Sequence, residues 1–155
     1  MTKVARTKVL FVCLGNACRS PMAEAIASRL AADVMDASSA GLTPLGHVEP
    51  LTTETLVRNG YRPDGLESKA IALEATERAE LIINMSGWPE EIAFGDPDKV
   101  ENWQVEDPYG ADAELYQRIF EEIERRVAEL ADRLRNGGRA RARSGKNMGK
   151  GSDKS

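Results

Sequence analysis

Val9-Leu10-Phe11-Val12-Cys13-Leu14-Gly15-Asn16-Ala17-Cys18-Arg19-Ser20-Pro21 is the stretch from which the fold can be read outward. Its first four residues form a β-branched and aromatic run of the kind that fills a buried strand. A short loop follows. Gly15 tolerates backbone angles that other residues avoid, and Asn16 can hold a left-handed turn while its amide bonds to the loop. Ser20 suits a helix N-cap, and Pro21 suits the first helical position, where the missing N–H would be unpaired anyway. Met22, Ala25, Ile26, Arg29 and Leu30 continue at roughly helical spacing, with Ile26 and Leu30 the firm apolar positions. The reading is a strand over 8–13, a tight loop, and a helix over 21–32.

Such a loop directs its N–H groups and the helix N-terminus at one point, focusing partial positive charge there. An oxyanion sits well at that point, and so does a thiolate from Cys13. Arg19 adds a planar, permanently charged fork able to take two phosphate oxygens at once. The Ser20 hydroxyl can hydrogen-bond to the sulfur. An isolated C-x5-R pair would be read as a buried cysteine and a surface arginine. With the strand, Gly15, Asn16, Ser20 and Pro21 all in place, the chemistry indicated is attack by a thiolate on a bound phosphate.

Further along, strand-like runs alternate with helical patterns. Strands are expected at 33–37, 80–84 and around 100–105, and helices at 51–59, 72–79 and 113–134, with a short one near 88–94. This alternation predicts a single α/β domain: a four-stranded parallel sheet with helices on both faces. Ligands in such folds lie at the carboxyl ends of the strands, where Cys13 and Asp107 fall. In the last helix Leu115, Ile119, Ile123, Val127, Leu130 and Leu134 make a buried stripe. Glu114/Arg118, Glu121/Arg125, Glu122/Arg126 and Glu129/Arg133 make i,i+4 pairs, each contributing only ~0.2–0.5 kcal/mol. Asp112 is the expected N-cap, and Asn136-Gly137-Gly138 the stop.

The 155 residues, 41% hydrophobic and 30% charged, suit one soluble globular domain. The basic N-terminus lacks the apolar stretch of a secretory signal, and no run approaches the ~20 residues of a membrane span. Residues 136–155 hold six Lys or Arg against one acid, so a net +5 tail follows a body of −9. We expect one folded domain over 1–135 and a disordered basic tail over 136–155, solubilising rather than nucleic-acid binding. The two cysteines, both in the reactive loop, suit a reducing cytoplasm. A C-x4-C pair with one histidine, His47, cannot supply a tetrahedral zinc site, so no metal is expected.

V-C-L-G-N-A-C-R-S-P-M-A-E-A (residues 12–25) resembles the signature of the low-molecular-weight protein tyrosine phosphatases. Ser38-Ser39-Ala40-Gly41 resembles the segment after that family's second strand. Leu81-Ile82-Ile83-Asn84-Met85 resembles its third strand, and Val105-Glu106-Asp107-Pro108-Tyr109-Gly110 its general-acid loop. The resemblance spans roughly residues 8 to 134 and implies a flavodoxin-like, phosphotyrosine phosphatase I-like fold. It implies that Cys13 attacks phosphorus, Arg19 holds the equatorial oxygens, and Asp107 protonates the leaving oxygen, then deprotonates the hydrolytic water. Asp-Pro-x-Gly alone would be a turn. Leu14, Gly15, Asn16, Ala17, Cys18, Ser20 and Tyr109 would contact substrate, and Asn16, Ser20 and Ser39 would stiffen the loop. Under peroxide Cys13 could close a disulfide onto Cys18. No cofactor is implied.

The chain departs from the family at Gly65-Leu66-Glu67-Ser68-Lys69, where Leu66 occupies the place of a histidine in many members. Loop stiffening is therefore expected to differ or weaken. Leu14, Ala17, Tyr109 and the 42–48 loop are the expected pocket walls. That loop lacks the tryptophan of animal members, so bacterial-type members are the nearer comparison. The expected substrate is protein phosphotyrosine, with a bacterial tyrosine kinase among the candidate partners. Two alternatives share the scaffold. Phosphoarginine phosphatases commonly carry threonine at the place of Ala17. Thioredoxin-coupled arsenate reductases relay oxidation through cysteines near residues 84–95, a stretch with no cysteine here.

Overall fold

The computed structural model describes residues 5–89, 94 and 96–137. Four parallel strands, β1 (Thr7–Cys13), β2 (Met35–Gly41), β3 (Leu81–Asn84) and β4 (Val100–Asn102), form a sheet in the order β2-β1-β3-β4. Between and after them run α1 (Arg19–Leu30), α2 (Pro50–Arg58), α3 (Leu73–Arg78), a 3-10 turn (Pro97–Lys99) and α4 (Ala113–Arg135). This is the expected α/β architecture.

β1 is central, and from Val9 onward every residue in it is buried. Strands alternate their side chains between faces. Val9, Phe11 and Cys13 accordingly join the layer built with α1, α2 and α4, where Met22, Ile26, Leu56, Ile119, Ile123 and Val127 are fully or almost fully buried. Leu10 and Val12 face the opposite layer with Ala40, Ala79, Ile82 and Val100. A strand covered on both sides reads as a continuous apolar run, which is why this one was visible in the sequence. From β1 the chain passes to β2 on one side, and β3 lies on the other. The crevice this reversal opens lies at the carboxyl end of β1, where Cys13 stands.

Several boundaries differ from the sequence reading. β2 runs to Gly41 rather than ending at 37, pairing in register with β1 from Thr7↔Met35 to Cys13↔Gly41. Its polar Ser38-Ser39 hid the strand. Ser39 is nevertheless buried, because its hydroxyl is hydrogen-bonded within the site. β4 is three residues long. α1 begins at Arg19, and its N-cap is Cys18 rather than Ser20. In α4 the stripe includes Tyr116, Phe120 and Ala131, while Leu115 is only partly buried. Asp112 caps that helix as expected, accepting from Leu115 N at 3.0 Å. Glu122 pairs with Arg126 as expected, but Arg133 turns to Glu101 at 2.6 Å. Residues 90–93 of the expected 88–94 helix, and the tail from 138, lie outside the described residues.

Candidate active site

Cys13 is the last residue of β1, and its buried Sγ lies 3.0 Å from Ser20 Oγ and 3.4 Å from Ser20 N. The direction of the hydroxyl follows from its other partner. Asn16 Nδ2 donates to Ser20 Oγ at 2.8 Å and to Ser39 Oγ at 3.1 Å. Asn16 Oδ1 accepts from Lys69 N at 2.8 Å, which fixes which end of the amide is which. With a lone pair of Ser20 Oγ taken, its proton is free to point at the sulfur and stabilise a thiolate. The alternative acceptor, Ala40 O, lies farther off at 3.4 Å. Ser39 passes its own proton to Glu24 at 2.6 Å. Asn16 can do this because it sits at φ +48°, the left-handed conformation an asparagine tolerates.

Three readings of the loop change here. Asn16 takes the left-handed backbone as expected, but Gly15 does not use its conformational freedom; a Cβ on Gly15 would meet only ordinary contacts, 3.8 Å from Leu45 Cβ. Ser20 is drawn away from helix capping by its bonds to Cys13 and Asn16. The Asn16 and Ser20 side chains lie fully buried beneath the cradle, where they support it rather than line it. The missing imidazole is replaced by main chain: Leu66 packs partly buried against the core, and Lys69 N binds Asn16 in its stead. Stiffening is thus different, not absent. One residue, quoted above only as part of a motif, has a role that the sequence reading did not assign. Gly41 abuts the loop so closely that a Cβ there would lie 2.8 Å from Asn16 N and 2.9 Å from Leu14 O.

Arg19, buried at the start of α1, is held by its Nη1, which donates to Met85 O and to Val105 O. These carbonyls follow β3 and precede the acid loop, so one guanidinium ties both segments to the cradle. Its Nη2 lies 3.5 Å from Asp107 Oδ2, and its Nε is buried without a hydrogen-bond partner among the described residues. A buried unsatisfied donor costs ~1–3 kcal/mol, so this edge is poised for an oxyanion. Asp107 is open to solvent, with a side chain 44% exposed. Its Oδ1 accepts from Tyr109 N at 3.1 Å, closing a turn that presents the carboxyl to the cleft.

Cys13, Leu14, Gly15, Ala17, Cys18, Arg19, Asp107 and Tyr109 line one cleft of about 200 Å³, to which Thr43 and Leu45 add a wall. A larger groove of about 650 Å³ lies on the other side of Arg19, but neither Cys13 nor Asp107 reaches it. Cys18 is also buried. Its Sγ lies 3.3 Å from Tyr116 Oη, and burial pushes its thiol above the ordinary range despite its hydrogen bond with Tyr116. Thr52 Oγ1 and Glu49 N both bind Ala17 O, so α2 props the loop from below. Exposed His47 pairs with Glu49 at 2.8 Å and, as expected of a surface residue, takes no part in the cradle.

The model of the low molecular weight phosphotyrosine protein phosphatase family matches residues 8–140. The chain belongs to this family. Solved structures and curated proteins similar to this phosphatase-family chain span several chemistries. The low molecular weight protein tyrosine phosphatase from T. tengcongensis is 29% identical with a TM-score of 0.75, covering 83% of this chain and 99% of that one. The YwlE arginine phosphatase from Geobacillus stearothermophilus is 25% identical with a TM-score of 0.77, covering 84% and 94%. A glutaredoxin arsenate reductase from Synechocystis sp. is 30% identical over 135 residues, covering 82% of this chain and 98% of its own. Among the described residues of this family member, no helix is long and apolar enough to cross a membrane.

Proposed function

We infer that this protein hydrolyses phosphotyrosine in proteins through a cysteinyl-phosphate intermediate. The observation that carries the reading is the convergence of Cys13, Arg19 and Asp107 on one small cleft whose mouth is walled by Leu14, Leu45 and Tyr109. In the first half-reaction Cys13 Sγ attacks phosphorus, forming the P–S bond as the P–O ester bond breaks. Asp107 delivers its proton to the departing phenolic oxygen, while Arg19 Nε and Nη2 hold the equatorial oxygens. In the second, the Asp107 carboxylate takes a proton from water, whose oxygen attacks phosphorus and breaks the P–S bond. The returning thiolate is received by the Ser20 hydroxyl. The apolar walls suit an aromatic ring, whose length also lets the phosphate reach the buried sulfur; phosphoserine is shorter. We assign the enzyme to a reducing cytoplasm, where Cys13 stays reduced.

Phosphoarginine is the second reading, favoured by the likeness to the YwlE arginine phosphatase. A guanidinium leaving group calls for acceptors at the mouth. The Thr43 hydroxyl there donates to Leu14 O, 3.5 Å away, which leaves its oxygen able to accept, but Ala17 brings no second hydroxyl. Arsenate reduction relayed through cysteines near residues 84–95 has no thiol there to use, because Cys13 and Cys18 are the chain's two cysteines. The test is turnover of phosphotyrosine, phosphoserine and phosphoarginine peptides of matched sequence, with arsenate reduction measured alongside. Phosphotyrosine should exceed the others in kcat/KM by at least about tenfold, the effect of one good differential contact. A preference for phosphoarginine, or faster arsenate reduction, would overturn the reading.

A further inference from the structure

Beside the cradle, the loop over 42–48 is laid on the catalytic loop rung by rung. Leu42 N donates to Cys13 O, Thr43 N to Leu14 O, and Leu45 N to Gly15 O, at 3.2, 2.8 and 2.9 Å. Thr43 and Leu45 face the cleft from this loop. Beyond Leu45 the rungs to the catalytic loop are interrupted, because Gly46 turns away with φ +98°. Its N–H is taken instead by a side chain from elsewhere in the chain: Ser68 Oγ accepts from Gly46 N at 3.0 Å. The same oxygen donates to Gly15 O, also at 3.0 Å. Only a hydroxyl can accept from one backbone and donate to another through a single atom.

Ser68 is itself held in place. Its neighbour Lys69 binds Asn16 through N and Gly41 through O, and Ile71 N returns to Gly41 O at 3.0 Å, so the segment runs as a short extension of the sheet edge. Ser68 does not line the cleft and touches none of the reacting groups.

We propose that Ser68 is a positioning residue that fixes the Leu45 wall against the catalytic loop and so sets how tightly the cleft grips the organic part of its substrate. It rests on the phosphatase reading only for the location of the cleft. The wall, not the anion site, depends on it. Asn16 and Gly41, which govern the cradle, have their own bonds to Lys69 and remain in place without the hydroxyl. Arg19 is anchored elsewhere, on Met85 O and Val105 O. Removing the hydroxyl therefore frees Gly46 and the wall while leaving the phosphate seat.

The test is the calorimetric affinity of two ligands, benzylphosphonate and inorganic phosphate, for the full-length protein and for Ser68→Ala and Ser68→Thr. Neither ligand needs turnover, so the outcome is independent of which phosphorylated residue the enzyme prefers. Ser68→Ala should weaken benzylphosphonate by about five- to tenfold, the effect of one hydrogen bond, and phosphate by less than about twofold. Ser68→Thr, which keeps the hydroxyl, should lie within about twofold of wild type for both. Equal weakening of both ligands, no weakening of either, or a Ser68→Thr protein that behaves like Ser68→Ala would overturn the proposal. If Ser68→Ala does not fold, the proposal is also overturned, because the strut would then be part of the domain's general stability; thermal unfolding decides that.

Discussion

Asn16 is the residue on which the geometry of the cradle converges. One amide binds Ser20, Ser39 and the Lys69 backbone, and its left-handed φ shapes the turn between nucleophile and arginine. Asn16→Ala should cost about 1–3 kcal/mol, the expense of leaving buried partners unpaired, and should lower kcat as Ser20 loses its orientation. Denaturant unfolding and steady-state kinetics check both; a stable variant with unchanged kcat would contradict this role. Asp107→Ala should slow alkyl or unactivated aryl phosphates more than p-nitrophenyl phosphate, whose leaving group scarcely needs a proton. Equal losses on both would argue against the acid. At Cys18, burial holds the thiol protonated at neutral pH, so iodoacetate should carboxymethylate Cys13 well before Cys18. Peptide mapping by mass spectrometry reads the order, and preferential labelling of Cys18 would contradict it. Cys13, Arg19 and Ser20 were legible in the sequence because each supplies a distinct chemical group at fixed spacing. The orientation of the Ser20 hydroxyl was not, since it depends on Lys69, which lies 53 residues beyond Asn16.

At the scale of elements, legibility followed burial on two faces. β1 from Val9 onward and β3 up to Ile83 are buried and apolar, and both strands were placed within a residue. β2 was cut short because its carboxyl half serves the site: Ser39 is a network member, and Gly41 is a contact surface for the loop. A glycine forced by the proximity of another backbone leaves no local signature. Gly41→Ala should therefore be severe for so small a change. Atoms at 2.8 Å must separate, and overpacking of this kind costs about 1–3 kcal/mol and shifts the loop. We expect a lower unfolding midpoint and a large loss of kcat/KM; a variant with wild-type kinetics would mean that the approach is not tight. In α4 the helical period exposed the stripe, but partner choice among charges was settled by tertiary neighbours, as Arg133 shows by turning to Glu101.

At the scale of the molecule, three buried or half-buried acids among the described residues favour their neutral forms. Burial, then the Glu124 carboxylate, pushes the Tyr61 phenol up to about 12. Burial, then the neighbouring Cys18, raises Tyr116, and Cys18 is raised likewise. Each is higher in the folded state than in the unfolded chain. Their contribution is thus complete below the ordinary thiol and phenol values of 9.0 and 10.0, and is lost as pH climbs through the folded values. Stability should be level in the neutral range and decline above about pH 9, with Tyr61→Phe flattening the upper part of that decline. Urea unfolding between neutrality and pH 11 measures this, and a flat profile would contradict it. The domain's class was readable from alternating runs alone; the way three distant segments meet over β1 was not, because contact between them is a property of topology rather than of spacing.

The account rests on phosphorus becoming bonded to the sulfur of Cys13 during turnover. Rapid acid quench of enzyme with ³²P-labelled phosphotyrosine peptide, followed by peptide mapping, should place one phosphoryl group on the peptide carrying Cys13 and none on Cys13→Ala. Turnover that proceeds with no label on that peptide at any quench time would contradict it.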